Sequence, residues 1–307
     1  MDTRSWRGRC DVLDVRKMVL LREVRLRGSI SAAAHSLSYS HSAVSQQLSA
    51  LEKQAGVPLL EKVGRGVRLT PAAEDLVAHA DEIVAILERA ESNLAASDRS
   101  VRGVLRIAAF TTISRLAVPP VIARLHDEHP DLDVRYRQVE PENGLQMLSA
   151  RRVDVVIADS YPGTSESVPS EFTADLLLRD PIRVYLPVSV EATSIDDLRR
   201  MRWVFEPSGS EAHAFTRRLC QQRGFDPDVA YESPDLLFHL RLVQEGLAGA
   251  FLPDLLVRDL GVRLESTPLF DVHNLRDISL FCRAGAERRP AIAACRQAFV
   301  EQFDEGS

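Results

Sequence analysis

Eight consecutive residues carry the clearest chemistry in this chain: Ser40-His41-Ser42-Ala43-Val44-Ser45-Gln46-Gln47. They open a helical pattern with polar side chains. A helix start of this kind offers free N–H groups and a positive dipole end to phosphate, and it aims side chains at base edges. Gln46 or Gln47 suits bidentate pairing with adenine, while Ala43 or a serine methylene suits a thymine methyl. Ser29 and Ser31 before this helix and Lys53 near its end extend the set of candidate DNA contacts. An ordinary capped surface helix would use the same residues, so their surroundings must decide. Beyond the helix, Lys62, Arg65 and Arg68 sit on or beside a run that reads as two short strands around a Gly64–Gly66 turn. Cations on such a hairpin neutralise phosphates beside a groove.

The elements around these residues follow from spacing. Leu13, Met18, Leu21 and Val24 recur at helical intervals from Leu13 to Leu26, and Gly28 stops that helix. Ser29 and Ser31 can cap a second helix, Ala32 to Leu37, whose small alanines allow a close crossing. Ser38-Tyr39-Ser40 makes a short break. A third helix, His41 to Ala55, follows with Ser40 as N-cap, a buried stripe of Val44, Leu48 and Leu51, and Gly56 as its stop. Two helices joined by so short a turn form the helix-turn-helix plan. Thr70-Pro71 then caps a further helix.

Charge supports this division. The chain of 307 residues has a formal net charge of -6. Residues 1–68, however, carry 12 Lys and Arg against 6 Asp and Glu, and residues 69–98 carry 1 against 7. A basic head, an acidic segment and a mildly acidic body suggest a nucleic-acid-binding module joined to something else. A solvated N-terminal face would give the same totals.

The block GSISAAAHSLSYSHSAVSQQLSALEKQAGVPLLEKVGRGVRLTPAAEDL resembles the winged helix-turn-helix of LysR-type transcriptional regulators. The resemblance runs from about Leu13 to Leu94. Two positions depart from the family pattern: Ser42 stands where proline is common, and Ala73 replaces a common glycine. Between Pro71 and Ser97 the residues Leu76, Ala80, Ile83, Leu87, Ala90 and Leu94 alternate four and three apart, an a/d seam for pairing two helices. Packing onto the body of the same chain is the alternative use of that stripe.

From Gly103 onward, strands alternate with helices: Val104–Phe110, Leu132–Val139, Val153–Ala158, Ile182–Leu186, Trp203–Phe205, Ala248–Leu252 and Asp277–Cys282 read as strands of a parallel α/β sheet. Helices are expected over Val118–His129, Gly144–Ala150, Ser194–Arg200, Ser210–Arg223, Asp235–Gly246 and Ala286–Phe303. The segments LRIAAFTTISRLAVPP, HDEHPDLDV, RRVDVVIAD, LRDPIRVYLP, GFDP and LVQEGLAGAFLP resemble the LysR effector module, a two-lobed fold like that of periplasmic binding proteins. The expected fold class is α/β, with domains at 1–12 (a disordered extension), 13–70 (winged head), 71–98 (linker helix) and 99–307 (effector domain). The resemblance implies a first lobe from 103–160 and 268–307, a second from 161–267, and hinges near Ser160–Gly163 and Ser266–Pro268. It also implies a homodimer or homotetramer on double-stranded promoter DNA, an effect on DNA bending, and RNA polymerase as a possible further partner.

In such folds small ligands sit outside the carboxyl ends of strands. That rule selects Thr111, Thr112, Ser114, Pro141 and Ser160 in the first lobe, and Glu206, Ser208, Gly209, Ser210 and His213 in the second. Hydroxyls beside free N–H groups suit an anion, whereas Glu206 argues against a simple diacid and suits an amine or hydroxyl. Helix capping alone would explain each hydroxyl.

Other functions find less support. No run of about 18 apolar residues exists to span a membrane, and the N-terminus lacks the apolar stretch of a secretory signal, so a cytoplasmic protein is expected. Four scattered cysteines, Cys10, Cys220, Cys282 and Cys295, form no CxxC. No phosphate loop, GxSxG elbow or HExxH appears, and His126 with His129 reads better as a solvated helix end than as a metal site. No enzyme activity, metal or cofactor is expected. A thiol-switched regulator and a solute receptor without a transcriptional role remain as alternatives. A redox switch would need two thiols to meet, with Cys282 and Cys295 the best placed.

Overall fold

The computed structural model describes residues 13–37, 39–64, 66–97, 100–163, 168–187, 190, 192–262, 264, 266–270 and 274–305. The expected extension 1–12, with Cys10, and the wing residue Arg65 lie outside them. The chain forms two compact units, one ending at Ser92 and joined by Ala284–Ala286, the other made of Asn93–Arg283 and the residues from Glu287 onward.

The head opens with α1 (Val15–Arg27), capped by the Asp14 carboxylate and closed by Gly28 in the left-handed conformation at φ 71°. Helix α2 (Ile30–Leu37) starts two residues earlier than expected, because Ser29 Oγ accepts the Ala32 N–H at 3.1 Å. Helix α3 (His41–Ala55) keeps its expected limits: Ser40 Oγ accepts from the Ala43 N–H, and Gly56 adopts φ 71°. Strands β1 (Leu60–Val63) and β2 (Gly66–Leu69) pair antiparallel, Leu60 opposite Leu69. Thr70 ties the hairpin to α4 (Pro71–Ser97), its hydroxyl donating to the Pro58 carbonyl and accepting from the Ala73 N–H.

The linker stripe is divided in its use. Ala80 is fully buried with Ala73 and Val77 in the head's own core, where Leu76 and Ile83 also pack. The first turns of α4 therefore do not offer a free seam; they complete a small domain whose three short helices cannot enclose a core alone. Farther along, Ile86, Leu87 and Leu94 are exposed, Leu94 by 74%, and Ala90 is exposed as well. The acidity of this helix is also partly internal. Arg22, almost wholly buried, pairs with Asp81, and Arg25 reaches the other oxygen of the same carboxylate at 3.2 Å. Arg27 lies 3.5 Å from Glu23. Several cations counted in the basic head are thus spent inside it.

The body holds one eight-stranded sheet in the order β4-β3-β5-β10-β6-β9-β7-β8. Strands β3 (Gly103–Ala109), β4 (Leu132–Gln138) and β5 (Val155–Ser160) run parallel, as do β7 (Arg202–Phe205), β8 (Asp228–Glu232) and β9 (Gly249–Pro253). Two long strands join these triplets: β6 (Phe172–Tyr185) and β10 (Leu275–Arg283), antiparallel to each other and to their neighbours. The sheet is therefore mixed, not parallel throughout. Strand β6 begins ten residues before the expected Ile182, and its segment Phe172–Leu178 pairs with β10 alongside β5. Helices α6 (Val118–Glu128), α8 (Ile195–Arg199), α9 (Glu211–Gln222), α10 (Leu236–Gln244) and α12 (Pro290–Glu305) lie close to expectation, and α7 (Pro141–Ser149) starts three residues early, its proline in the first turn. Short α5 (Thr111–Leu116) and α11 (Asp254–Asp259), and strand β8, were not anticipated. Helix α7 lies so close to β5 that a Cβ on Gly144 would approach Val156 Cγ1 to 2.8 Å. In the second half of the sheet Trp203 is fully buried, its ring 5.6 Å from that of Phe251.

Removing one member of a buried ion pair costs up to about 3 kcal/mol, and here less, because Arg22 also lies 3.8 Å from Glu23. Asp81→Asn should lower the denaturation midpoint of the head accordingly, whereas Arg68→Ala, on the exposed Arg68–Glu61 pair at 2.7 Å, should leave it nearly unchanged. Chemical denaturation followed by circular dichroism checks both.

Candidate functional site

Two surfaces gather the residues singled out by the sequence. On the head, the stripe Val44, Leu48 and Leu51 pulls one face of α3 into the core. The opposite face is thereby presented outward: His41, Ser42, Gln46, Gln47 and Lys53 are exposed, with Ala43 and Ser45 half-buried at its edge. Ser40 is committed to capping and lies 3.1 Å from Ser42 Oγ. Ser29 likewise caps α2, leaving Ser31 exposed on its first turn. Lys62 and Arg68 are exposed on the hairpin, Arg68 resting on Glu61. This surface has the form of a reading helix with a cationic wing beside it, which is how winged helix-turn-helix proteins engage a groove and its phosphates.

The second surface is a cleft in the body, about 730 Å³ in volume, between the two triplets of parallel strands. That size suits a small organic molecule. Thr111, Thr112, Pro141 and Ser160 line it from one side and Glu206, Gly209 and Ser210 from the other. Three candidates lie off its wall. Ser114 donates to the Ala109 and Phe110 carbonyls and receives the Tyr136 hydroxyl. Ser208 is exposed, its N–H directed at Glu232. His213 donates from Nδ1 to the Glu206 carbonyl at 2.9 Å, so it fixes the backbone of a cleft residue without facing the cleft.

The floor of the cleft was not anticipated. Arg276, 1% exposed, donates to Asp159 Oδ2 at 3.0 Å and to Asp180 Oδ2 through Nε and Nη2, and stacks 5.3 Å from the centre of the Phe110 ring. Burial acts against its charge, but Tyr161, Asp180 and Asp159 outweigh that and hold the guanidinium firmly protonated. The Tyr161 hydroxyl donates to Asp159 at 3.0 Å, and burial pushes its own ionisation well up. Rule-based selection missed Arg276 because β10 is antiparallel and enters the cleft by its amino end. Asp159 lies inside β5, which runs to Ser160, two residues beyond the expected end at Ala158. Asp235 follows the unanticipated β8.

Glu206 is the most perturbed carboxyl. Its proton affinity is pushed up to about 8, first by burial and then by Asp159, with Glu140 and Glu142 adding and Arg276 opposing. Glu140 is raised as well, by burial and then by Glu142 and Asp159. Among the described residues no hydrogen bond reaches the Glu206 carboxyl, and no three His, Cys, Asp or Glu side chains gather to hold a metal. Nor is any described helix long and apolar enough to cross a membrane.

A head of this form joined to a two-lobed α/β body defines a ligand-responsive DNA-binding regulator. Residues 15–74 match the model of bacterial regulatory helix-turn-helix proteins of the lysR family, and residues 98–304 match the LysR substrate binding domain. The chain belongs to the LysR family of transcriptional regulators. Similar proteins include the transcriptional dual regulator GltC of Bacillus subtilis (strain 168), 26% identical over 265 residues and covering 85% of each chain. A probable hydrogen peroxide-inducible genes activator of Streptomyces viridosporus is 29% identical over 263 residues, 83% of each chain. Among solved structures, a cysteine variant of full-length OxyR from Pseudomonas aeruginosa shares the fold, with a TM-score of 0.59 at 20% identity over 93% of this chain and 94% of that one.

Folded Glu206 keeps its proton up to about pH 8, while the unfolded side chain releases it near the ordinary 4.5. The stabilising proton is fully present below the lower value and is lost as pH rises through the upper one. Glu206→Gln removes this dependence. Its melting temperature relative to wild type should therefore climb steadily between about pH 5 and pH 9, and a constant difference across a thermal-shift series would refute the assignment.

Proposed function

We propose that this chain is a cytoplasmic, non-enzymatic transcriptional regulator in which α3 enters the major groove, the β1–β2 wing grips flanking phosphates, and a small effector occupies the body cleft. One observation carries the DNA reading: the exposed His41, Ser42, Gln46 and Gln47 stand on a helix anchored by Val44, Leu48 and Leu51, directly before a hairpin bearing Lys62 and Arg68. The proposed domains are head 13–70, its core completed by Ala73, Val77 and Ala80 of the linker, linker 71–98 and effector domain 99–307, with Phe172–Leu178 assigned to the sheet of the first lobe because it pairs with β10. Ligand binding between the lobes shifts their relative population of arrangements, and a coupled change in subunit packing alters how the paired heads are spaced on DNA.

A second copy of the chain is the proposed cover for Ile86, Leu87 and Leu94 on α4. A two-fold pair reads two half-sites, which one head cannot. The peroxide-responsive names among the relatives favour a thiol switch, but the thiols disfavour it. Cys220, Cys282 and Cys295 are buried and unbridged, and burial pushes all three up, away from the reactive thiolate. Cys282 also lies 3.1 Å from Thr173 Oγ1.

Binding to a fragment from upstream of the chain's own coding region tests the DNA reading. Lys62→Ala and Arg68→Ala should weaken binding to all sequences alike and each reduce the logarithmic salt slope by about one. Gln46→Ala should instead change base preference, at about 1–3 kcal/mol for the affected position. Identical behaviour of the three variants, or no retardation by the wild type at low salt, would sink this reading. For the pairing surface, Leu87→Glu combined with Leu94→Glu should halve the mass measured by light scattering, and an unchanged mass would exclude that surface.

A further inference from the structure

The cleft is built to repel the anion that its helix starts would otherwise attract. Short α5 starts at the cleft with no acid in its first turn, but three longer helices that open toward it each bring their own carboxylates: Glu140 and Glu142 at α7, Glu211 in the first turn of α9, and Asp235 at α10, where the aspartate caps Leu237 N–H at 2.9 Å. Free N–H groups at a helix start are a ready anion site, but here the protein supplies the negative charge itself. Arg276, the buried cation on the wall, is committed to Asp159 and Asp180. Arg115 is exposed at the cleft's edge. Against these two cations the wall sets Asp159, Glu206 and the four helix-start carboxylates. Within this group the Glu206 carboxyl has no hydrogen-bond partner among the described residues, although the cleft removes it from most of the water.

We propose that the effector is an organic cation: an amine on an apolar skeleton, its ammonium received by Glu206 and its skeleton lying against Phe110, Leu145, Leu237 and Phe281. This inference rests on the reading of the cleft as the effector site. A half-buried carboxyl such as Glu206 gains most from a partner that is both a donor and positively charged. An apolar wall around one charged end fits a ligand with the same division.

Proton bookkeeping makes the idea measurable. Without an amine beside it, Glu206 is held protonated by burial and by Asp159, Glu140 and Glu142, with Arg276 opposing and His213 touching its backbone carbonyl. An arriving ammonium pairs with the carboxylate, so the Glu206 proton leaves to solvent. Affinity for an amine therefore rises with pH until Glu206 is ionised in the free protein, near 8.

The full-length protein should be screened by thermal shift and calorimetry with two matched sets at millimolar concentration: 2-phenylethylamine, 2-phenylethanol and 3-phenylpropanoate, then hexylamine, hexanol and heptanoate. The amines should raise the melting temperature and the others should not. Glu206→Gln should weaken amine binding about tenfold or more. Val168→Trp, placed at an exposed lining position to fill the cleft, should weaken all binding. Calorimetry in buffers of different ionisation enthalpy should find close to one proton released per amine at neutral pH. A larger shift from the carboxylates, lost in Val168→Trp, would keep the cleft as the effector site and overturn the cation. An amine shift surviving both variants would place binding outside the cleft and overturn both readings. No shift from either amine, or binding without proton release, would also overturn the cation proposal.

Discussion

The body depends on one buried guanidinium. Arg276 is almost wholly removed from water, and a charge in that position persists only if paired and hydrogen-bonded. Asp180, on β6, and Asp159, at the end of β5, meet that demand from opposite sides of β10. The interaction therefore stitches together the three central strands of the sheet at the level where the cleft begins. Tyr161 and Phe110 close around the same group. Because each of these two acids is satisfied by Arg276, the cleft floor keeps a fixed shape, whereas the Glu206 carboxyl on the same wall has no such partner among the described residues.

Much of this organisation was legible in the residues. The limits of α3 follow from Ser40, the Val44–Leu48–Leu51 stripe and Gly56, all local signals that tertiary contacts did not override. The wing and the Thr70 cap were similarly self-contained. What the sequence concealed was non-local. The length of β6 depends on pairing between Phe172 and Arg283, more than a hundred positions apart. The role of Arg276 depends on an antiparallel return that alternating patterns do not reveal. Short α5 and α11 lack a full amphipathic repeat.

The cleft shows the same division. Thr111, Thr112, Pro141, Ser160, Glu206, Gly209 and Ser210 came from a rule about parallel strand ends, which holds for the strands that obey it. Ser114 and His213 carry suitable chemistry but spend it on nearby backbone carbonyls. The linker teaches a related lesson. An unbroken heptad pattern in α4 covers two tasks, core completion through Ala80 and an exposed stripe from Ile86 onward, and periodicity alone cannot divide them.

The clamp of Arg22 and Arg25 on Asp81 makes α1 and the early turns of α4 a single lever, with Ala73, Val77 and Ala80 packed under it. A lever so braced has little slack. A turn of those early coils of α4 therefore carries α1 and the packed α3 of the reading head with it.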